Sequence, residues 1–194
     1  IKRIAREERD AAVAAAQRLR QAGIPCKVLS AGSTPTAVHG EDMAGLTEMR
    51  PGVYMFNDLD QLALGSCGPD DLALCVLASV IGQYPERNQA LVDAGALALS
   101  KDISAQEFTP QVGFGAIADA DLNGLAVTDV NQEHGFVGGA ARLPLERLAI
   151  GRKLRILPNH ACITAAAYDR YHVIDSELDG GRTVIDVWER TNGW

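Results

Sequence analysis

The run Leu157-Pro158-Asn159-His160-Ala161-Cys162 sets an imidazole and a thiol two residues apart. Side chains of an extended segment alternate faces, so His160 and Cys162 are expected to project to one side of a strand and share an ion. Imidazole nitrogen and thiolate sulfur are ligands that zinc accepts well. Two protein ligands are fewer than a closed structural site requires, which leaves positions for water or substrate, as in a catalytic site. A buried strand cysteine beside a hydrogen-bonded histidine is the plainer reading of the same residues.

Three further segments carry chemistry-bearing groups. Gly32-Ser33-Thr34-Pro35-Thr36 offers hydroxyls and backbone N–H groups after an apolar stretch, at the place where α/β architectures hold phosphate. An ordinary turn with Ser or Thr capping a helix explains it equally. In Glu48-Met49-Arg50-Pro51-Gly52-Val53-Tyr54, Gly52 permits close backbone approach and Arg50 can face an anion or a cofactor ring nitrogen; a bulged strand is the alternative. Gln132-Glu133-His134-Gly135 pairs an imidazole with a carboxylate beside glycine, a combination suited to acid-base work, with an exposed β-turn as the simpler account. His39 and His172 are read as structural.

The elements that must position these groups fall into two parts. Residues 3 to 22 form a helix with Ile4, Val13, Ala16 and Leu19 on one stripe, a solvated charged face opposite, and Gly23 as its stop. Ile24 to Leu29 reads as a buried strand, and Met49 to Phe56 as a second one interrupted by Pro51-Gly52. After a boundary near residues 66 to 70 the character becomes all-β. Candidate strands are Leu72 to Ile81, Ala90 to Leu99, Gly113 to Ile117, Leu125 to Val130, Arg152 to Ile156, Tyr171 to Ile174 and Thr183 to Trp188, the last two around the hairpin turn Asp179-Gly180-Gly181.

Composition narrows the function classes. A net charge of -7 argues against nucleic acid, which is held by clustered Lys and Arg. No apolar run approaches the roughly 20 residues that span a bilayer. The four cysteines, Cys26, Cys67, Cys75 and Cys162, show no repeated spacing, which disfavours a disulfide framework and fits a reducing cytoplasm. The sequence enters a helical pattern directly from Ile1, so a segment upstream is expected.

Taken together, Ala31-Gly32-Ser33-Thr34-Pro35-Thr36, Arg50-Pro51-Gly52-Val53-Tyr54, Gln132-Glu133-His134-Gly135 and Pro158-Asn159-His160-Ala161-Cys162 resemble the D-serine dehydratase and D-threonine aldolase family, in that order along the chain. The resemblance implies an enzyme of the alanine-racemase type, in which a (β/α)8 barrel binding pyridoxal 5'-phosphate precedes a C-terminal β domain. Residues 1–66 would then be the end of the barrel and 67–194 the β domain carrying the metal site. It further implies a phosphate site at Ser33 or Thr34 with Gly52, Val53 and Tyr54, a place for Arg50 near the cofactor ring, His134 as a catalytic group, and His160 and Cys162 as ligands of a divalent metal, zinc fitting the thiolate. The activity implied is that of a lyase on small D-β-hydroxy amino acids. D-serine dehydration to pyruvate and ammonia comes first, aldol cleavage to glycine and an aldehyde second, in a cytoplasmic homodimer without nucleic-acid or membrane partners. A non-catalytic dimerisation or ligand-binding module is the alternative of another class. One departure is large: none of Lys2, Lys27, Lys101 or Lys153 matches the family's Schiff-base lysine. A whole barrel also needs about 250 residues, so the chain is expected to be the C-terminal part of a longer enzyme.

Overall fold

Helix α1 (Lys2–Gln21) follows from its run of strong helix formers, with Arg18 and Arg20 in the last turn complementing the carbonyl end and Gly23 taking a positive φ of 78° just beyond it. The computed structural model describes residues 1–139 and 141–192. Ala5 and Ala16 are buried, but Ile4 and Leu19 stand exposed, so the expected apolar stripe is only partly covered. The helix's opposite face is not simply solvated either, because Glu8 turns inward to the loop after the next strand.

The expected strand at residues 24–29 contracts to β1 (Ser30–Ala31), which pairs in parallel with β2 (Glu48–Met49) through Ser30↔Glu48 and Ala31↔Met49. Helix α2 (Thr34–His39) makes the crossover that a parallel pair requires. A second correction concerns residues 49–56. Pro51 has no N–H to donate to a ladder, and the chain leaves β2 for a short 3-10 turn, Val53–Met55, before α3 (Leu59–Ala63).

From Val76 onward a closed antiparallel barrel takes over. Its strands are β3 (Val76–Tyr84), β4 (Gln89–Val92), β5 (Gly115–Ile117), β6 (Ala126–Val130), β7 (Gly135–Gly138) and β8 (Lys153–Pro158), in the order β3-β4-β7-β6-β5-β8 and closing back on β3. Alternation places Val76, Ala78 and Val80 inward from β3, opposite Leu154 and Ile156 of β8 in the registers Ala78↔Leu154 and Val76↔Ile156. Val92, Val127, Val137, Leu99 and Leu148 complete a fully buried aliphatic centre. Each such side chain contributes about 1.5–3 kcal/mol of burial free energy, and closure leaves no barrel edge unpaired.

Two parts of this barrel differ from expectation. Strand β7 begins at the glycine of Gln132-Glu133-His134-Gly135, and its Gly-Phe-Val-Gly composition gave no strand signal. Gly135 is required there: a Cβ would lie 2.4 Å from the Ala94 carbonyl oxygen. The expected strand Ala90 to Leu99 breaks at Gly95, after which Ala-Leu-Ala-Leu winds into α4 (Ala96–Leu99).

Beyond β8 come α5 (Ala161–Ala166) and an antiparallel hairpin of β9 (Arg170–Ile174) and β10 (Val184–Glu189). Asp179, Gly180 and Gly181 all take positive φ at its turn. The Asp179 carboxylate accepts from Thr183 Oγ1 and from the Arg182 and Thr183 N–H groups, and these bonds, the Thr183 hydroxyl first, hold it below the ordinary carboxylate range. The Tyr171 ring of this hairpin meets Phe56 of the first region at 5.2 Å between centroids.

Candidate metal and cofactor site

Strand β8 ends at Pro158, opposite Gly115, and the next three residues build the candidate metal site. Asn159 is fully buried. Its Nδ2 donates to the Gly113 carbonyl at 2.7 Å, and its own carbonyl accepts from Asp60 N–H at 3.2 Å. His160 is still extended, at φ -134° and ψ 105°, but Ala161 opens α5 and Cys162 lies in its first turn. The alternation expected for His160 and Cys162 is therefore corrected. A remote carboxylate supports this helix start: Asp58 Oδ2 accepts from Ala161 N–H at 2.8 Å, satisfying one of the donors that a helix N-terminus leaves unpaired.

Asp58 serves two helices at once. Its Oδ1 accepts from Gln61 N–H at 2.9 Å, making it the N-cap of α3, while its other oxygen holds the start of α5. The carboxylate is nearly inaccessible. Burial raises its proton affinity above the ordinary carboxylate value, although the Ala161 and Gln61 bonds and His160 act in the opposite direction. Asp60, beside it, is raised for the same first reason.

The imidazole of His160 is half exposed. Nδ1–H donates to Asp102 Oδ2 at 2.7 Å, and the two side chains are 36% and 21% exposed. Burial alone would raise the Asp102 carboxyl, but the bonds from His160 and from Ser104 outweigh it and hold it below the usual value. The Cys162 side chain is also open to solvent. Partial burial and the nearby Asp58 charge push its thiol up, so a metal binding there must displace a proton. Among the described residues no group of three or more His, Cys, Asp and Glu side chains is placed to hold a metal. The donor set is thus a pair, a thiol and an imidazole whose Nε2 makes no hydrogen bond among the described residues, and its chemistry fits a divalent ion whose other positions are filled by water or substrate.

The second group gathers around the turn before α2. Ser33 is the N-cap of that helix and accepts from Thr36 N–H, as the capping account expected. Thr34 is buried, and its Oγ1 accepts from Tyr54 N–H at 3.1 Å, which joins the hydroxyl loop directly to the Gly52-Val53-Tyr54 turn. Gly32 N–H and the Thr36 hydroxyl both donate to the Glu8 carboxylate, at 2.9 and 2.6 Å. This loop already holds one anionic group. The N–H groups of Gly52 and Val53 form no hydrogen bond among the described residues, and space is open where a Gly52 Cβ would stand. Ser33, Gly52 and Val53 are donors suited to a phosphate. Arg50 is exposed and donates to Ser30, which in turn bonds Glu48, so its guanidinium is tethered across β1 and β2.

His134 sits apart from both groups in its bonding. It lies exposed in the β6–β7 turn, where its carbonyl accepts from Asn131 N–H at 2.8 Å, and no hydrogen bond or ion pair among the described residues joins its ring to the other site residues. That turn also caps α4, through Ala96 N–H to Asn131 and Leu97 N–H to Gln132. His39 Nε2 lies 3.4 Å from Ser66 Oγ, and His172 is exposed on β9. Lys2 is paired with Glu41, and Lys153 donates to Ser79. Sequence reasoning missed Glu8, Asp58 and Asp102. Asp58 before a helical run carried a capping signal; Glu8 and Asp102 carried none, since their partners are remote.

Comparison with known proteins gives this geometry a family. The model of the "Putative serine dehydratase domain" matches residues 73–174. D-threo-3-hydroxyaspartate dehydratase of Delftia sp. (strain HT23) is 42% identical over 98% of this chain and 51% of its own, and D-serine dehydratase of Dictyostelium discoideum is 36% identical over 100% and 50%. An uncharacterized Mycobacterium tuberculosis protein is 32% identical over 70% of this chain and 94% of its own length. Among solved structures, an alanine-racemase-like protein from Idiomarina loihiensis superposes with a TM-score of 0.86 at 40% identity, over 100% of this chain and 51% of that one. A cysteine-to-alanine variant of D-threo-3-hydroxyaspartate dehydratase in the metal-free form gives 0.84 at 41%, over 100% and 52%. The chain spans about half the length of the first two curated relatives. The fold is accordingly that of the C-terminal β part of an alanine-racemase-like protein, with a closed six-stranded barrel. No helix among the described residues is long and apolar enough to cross a membrane. With its barrel and its His160–Cys162 corner inside the matched segment, and with relatives aligned over nearly its whole length, the chain belongs to the D-serine dehydratase-like family.

Proposed function

We propose that the chain is the C-terminal part of a pyridoxal-phosphate- and metal-dependent lyase acting on D-β-hydroxy amino acids, with dehydration of D-serine to pyruvate and ammonia as its reaction. The observation that carries this reading is the corner at the start of α5, where an imidazole and a thiol both open to solvent are tied through Asp58 to the segment that follows the Val53–Met55 turn. Residues 1–66 are the end of the cofactor-binding barrel in this reading, and 67–194 the β domain. Two relatives are consistent with it by name, both dehydratases. In a pair of solved D-threo-3-hydroxyaspartate dehydratase variants, the altered histidine and cysteine are also two positions apart.

His160 and Cys162 hold the metal, and the thiolate favours zinc. Ser33, Thr34, Gly52, Val53 and Tyr54 hold the cofactor's phosphate, Arg50 faces its ring, and His134 exchanges protons. When bound, pyridoxal phosphate supplies an electron sink for the carbanion formed at Cα, and the metal supplies Lewis acidity at the β-hydroxyl. The residues of this chain orient those groups: Thr34 pins the Tyr54 turn, Glu8 pins Gly32 and Thr36, and Asp58 sets the angle at which His160 leaves β8. The Schiff-base lysine is supplied from outside this chain. The working protein is a cytoplasmic homodimer.

The test is made on the full-length protein. D-serine should yield pyruvate, the protein should be yellow and carry zinc, and Cys162→Ala should lose both metal and most turnover. Undiminished turnover after chelation sinks the metal role, and glycine plus an aldehyde from D-threonine, without pyruvate from D-serine, assigns the aldol reaction instead. A second reading, a non-catalytic dimerisation or ligand-binding module, is favoured by one observation: the uncharacterized mycobacterial relative is matched over nearly its whole length. A colourless, metal-free full-length protein would support it.

A further inference from the structure

The loop that faces His160 is built with more constraint than a surface turn needs. Ser100 ends α4 at φ 67° and ψ -179°, a region that is essentially glycine's. Such a conformation costs about 1–3 kcal/mol and persists only where surrounding bonds determine it. Here they do: the Ser100 hydroxyl accepts from Asp102 N–H at 3.1 Å, and Asp102 Oδ1 accepts from Ser104 N–H at 2.8 Å. One carboxylate oxygen is thereby fixed to its own loop and the other is presented to His160 Nδ1 at 2.7 Å. A second tie keeps helix and loop in register, since Thr164 Oγ1 of α5 donates to the Leu99 carbonyl at 3.2 Å, immediately before the strained residue.

We propose that Asp102 is a positioning residue for metal binding: its carboxylate holds the His160 ring by Nδ1–H so that Nε2 presents its lone pair to the ion shared with Cys162. The inference rests on the metal reading of His160 and Cys162 given above. A carboxylate behind a ligating imidazole fixes the tautomer and ring orientation and raises the basicity of the ligating nitrogen. A neutral imidazole has one donor nitrogen and one acceptor nitrogen, so committing Nδ1–H to Asp102 settles which nitrogen is left for a metal. Nothing in the local sequence announces this partner, which lies 58 positions away.

The experiment measures zinc affinity of the full-length protein by chelator competition for wild type, Asp102→Asn, Asp102→Ala and Cys162→Ala, alongside the melting temperature of each metal-free form. Asp102→Ala is expected to weaken zinc binding by about 10- to 100-fold, the range typical of such supporting carboxylates. Asp102→Asn keeps an oxygen able to accept from Nδ1–H and should retain most of the affinity. Asp102→Ala also loses the bond from Ser104 N–H, so its metal-free form should melt lower than wild type, whereas Asp102→Asn keeps an acceptor oxygen and its metal-free form should melt with wild type. Wild-type binding with undiminished affinity in Asp102→Ala overturns the positioning role alone. Equal losses in Asp102→Asn, Asp102→Ala and Cys162→Ala also overturn it, by making Asp102 a ligand. A wild-type protein without zinc affinity overturns the metal reading itself, and the positioning role with it.

Discussion

The β3–β8 barrel and the β1–β2 region are built from similar aliphatic residues and end in opposite states. In the barrel, each strand has a partner on both sides, and Val80, Val92, Val127, Val137, Leu154 and Ile156 are completely buried. Around β1 and β2, two-residue strands pair only with each other, and Ile24, Val28, Val38, Tyr54 and Met55 are exposed. Apolar composition by itself does not make a core. In the β3–β8 barrel closure gives every strand neighbours on both sides. In the reading proposed above, β1 and β2 are instead strands of a larger barrel whose other strands would cover these side chains. The candidate metal corner lies where the two regions meet, joined there by Asp58 to Ala161 and by Asp60 N–H to the Asn159 carbonyl.

The sharpest way to break the barrel side of this contrast is Leu154→Ala, which leaves a cavity in a fully packed interior; a loss of about 2–5 kcal/mol is expected in denaturant unfolding. A loss below 1 kcal/mol would mean the centre collapses around the gap. Next comes the joint itself. Asp58→Ala removes the caps of α3 and α5 together, and at about 0.5–2 kcal/mol per cap the cost should be about 1–4 kcal/mol, accompanied by weaker metal binding. Metal affinity unchanged in that variant would show that His160 keeps its place without the cap.

Thr34→Val probes the other region with almost no change in shape. Leaving the Tyr54 N–H without its acceptor should cost about 1–3 kcal/mol locally, read as faster amide exchange at Tyr54 and weaker cofactor retention in the full-length protein. Exchange at Tyr54 matching wild type would detach the hydroxyl loop from that turn. The smallest effect is expected at the barrel rim, where Arg152 donates two bonds to Asp121, at 2.9 and 2.7 Å. The Arg152 hydrogen bonds hold the Asp121 carboxyl below its ordinary value. A depressed folded-state value adds stability above the unfolded pKa of about 3.9 that disappears as pH falls through the folded value. Asp121→Asn should thus differ slightly from wild type near neutrality and coincide with it in strong acid; a difference that grows on acidification contradicts the assignment.

How far each feature could be read from the chain follows from the range of the interaction behind it. Strands β3, β4, β5, β6, β8, β9 and β10 were anticipated because alternation is local, and Ser33 and the Asp179-Gly180-Gly181 turn were legible for the same reason. Strand β7 was missed because its two glycines answer close approaches, Gly135 to Ala94 and Gly138 to Thr128, that local composition does not announce. Residues 24–29 have strand composition, but among the described residues only Leu29 bonds across to the Thr47–Glu48 segment, too few rungs for a strand.

At the candidate site the chain alone determined which chemical groups are available: an imidazole and a thiol two residues apart, hydroxyls after a glycine, an arginine ahead of Pro-Gly. Tertiary structure decided what they can do. Asp58, 103 positions from Ala161, satisfies the first N–H of the helix that begins between His160 and Cys162, where alternation predicted a strand. Asp102, 58 positions from His160, chose which ring nitrogen is left free. Residue types and their spacing are written locally, whereas capping and tautomer depend on carboxylates that only folding brings within about 3 Å.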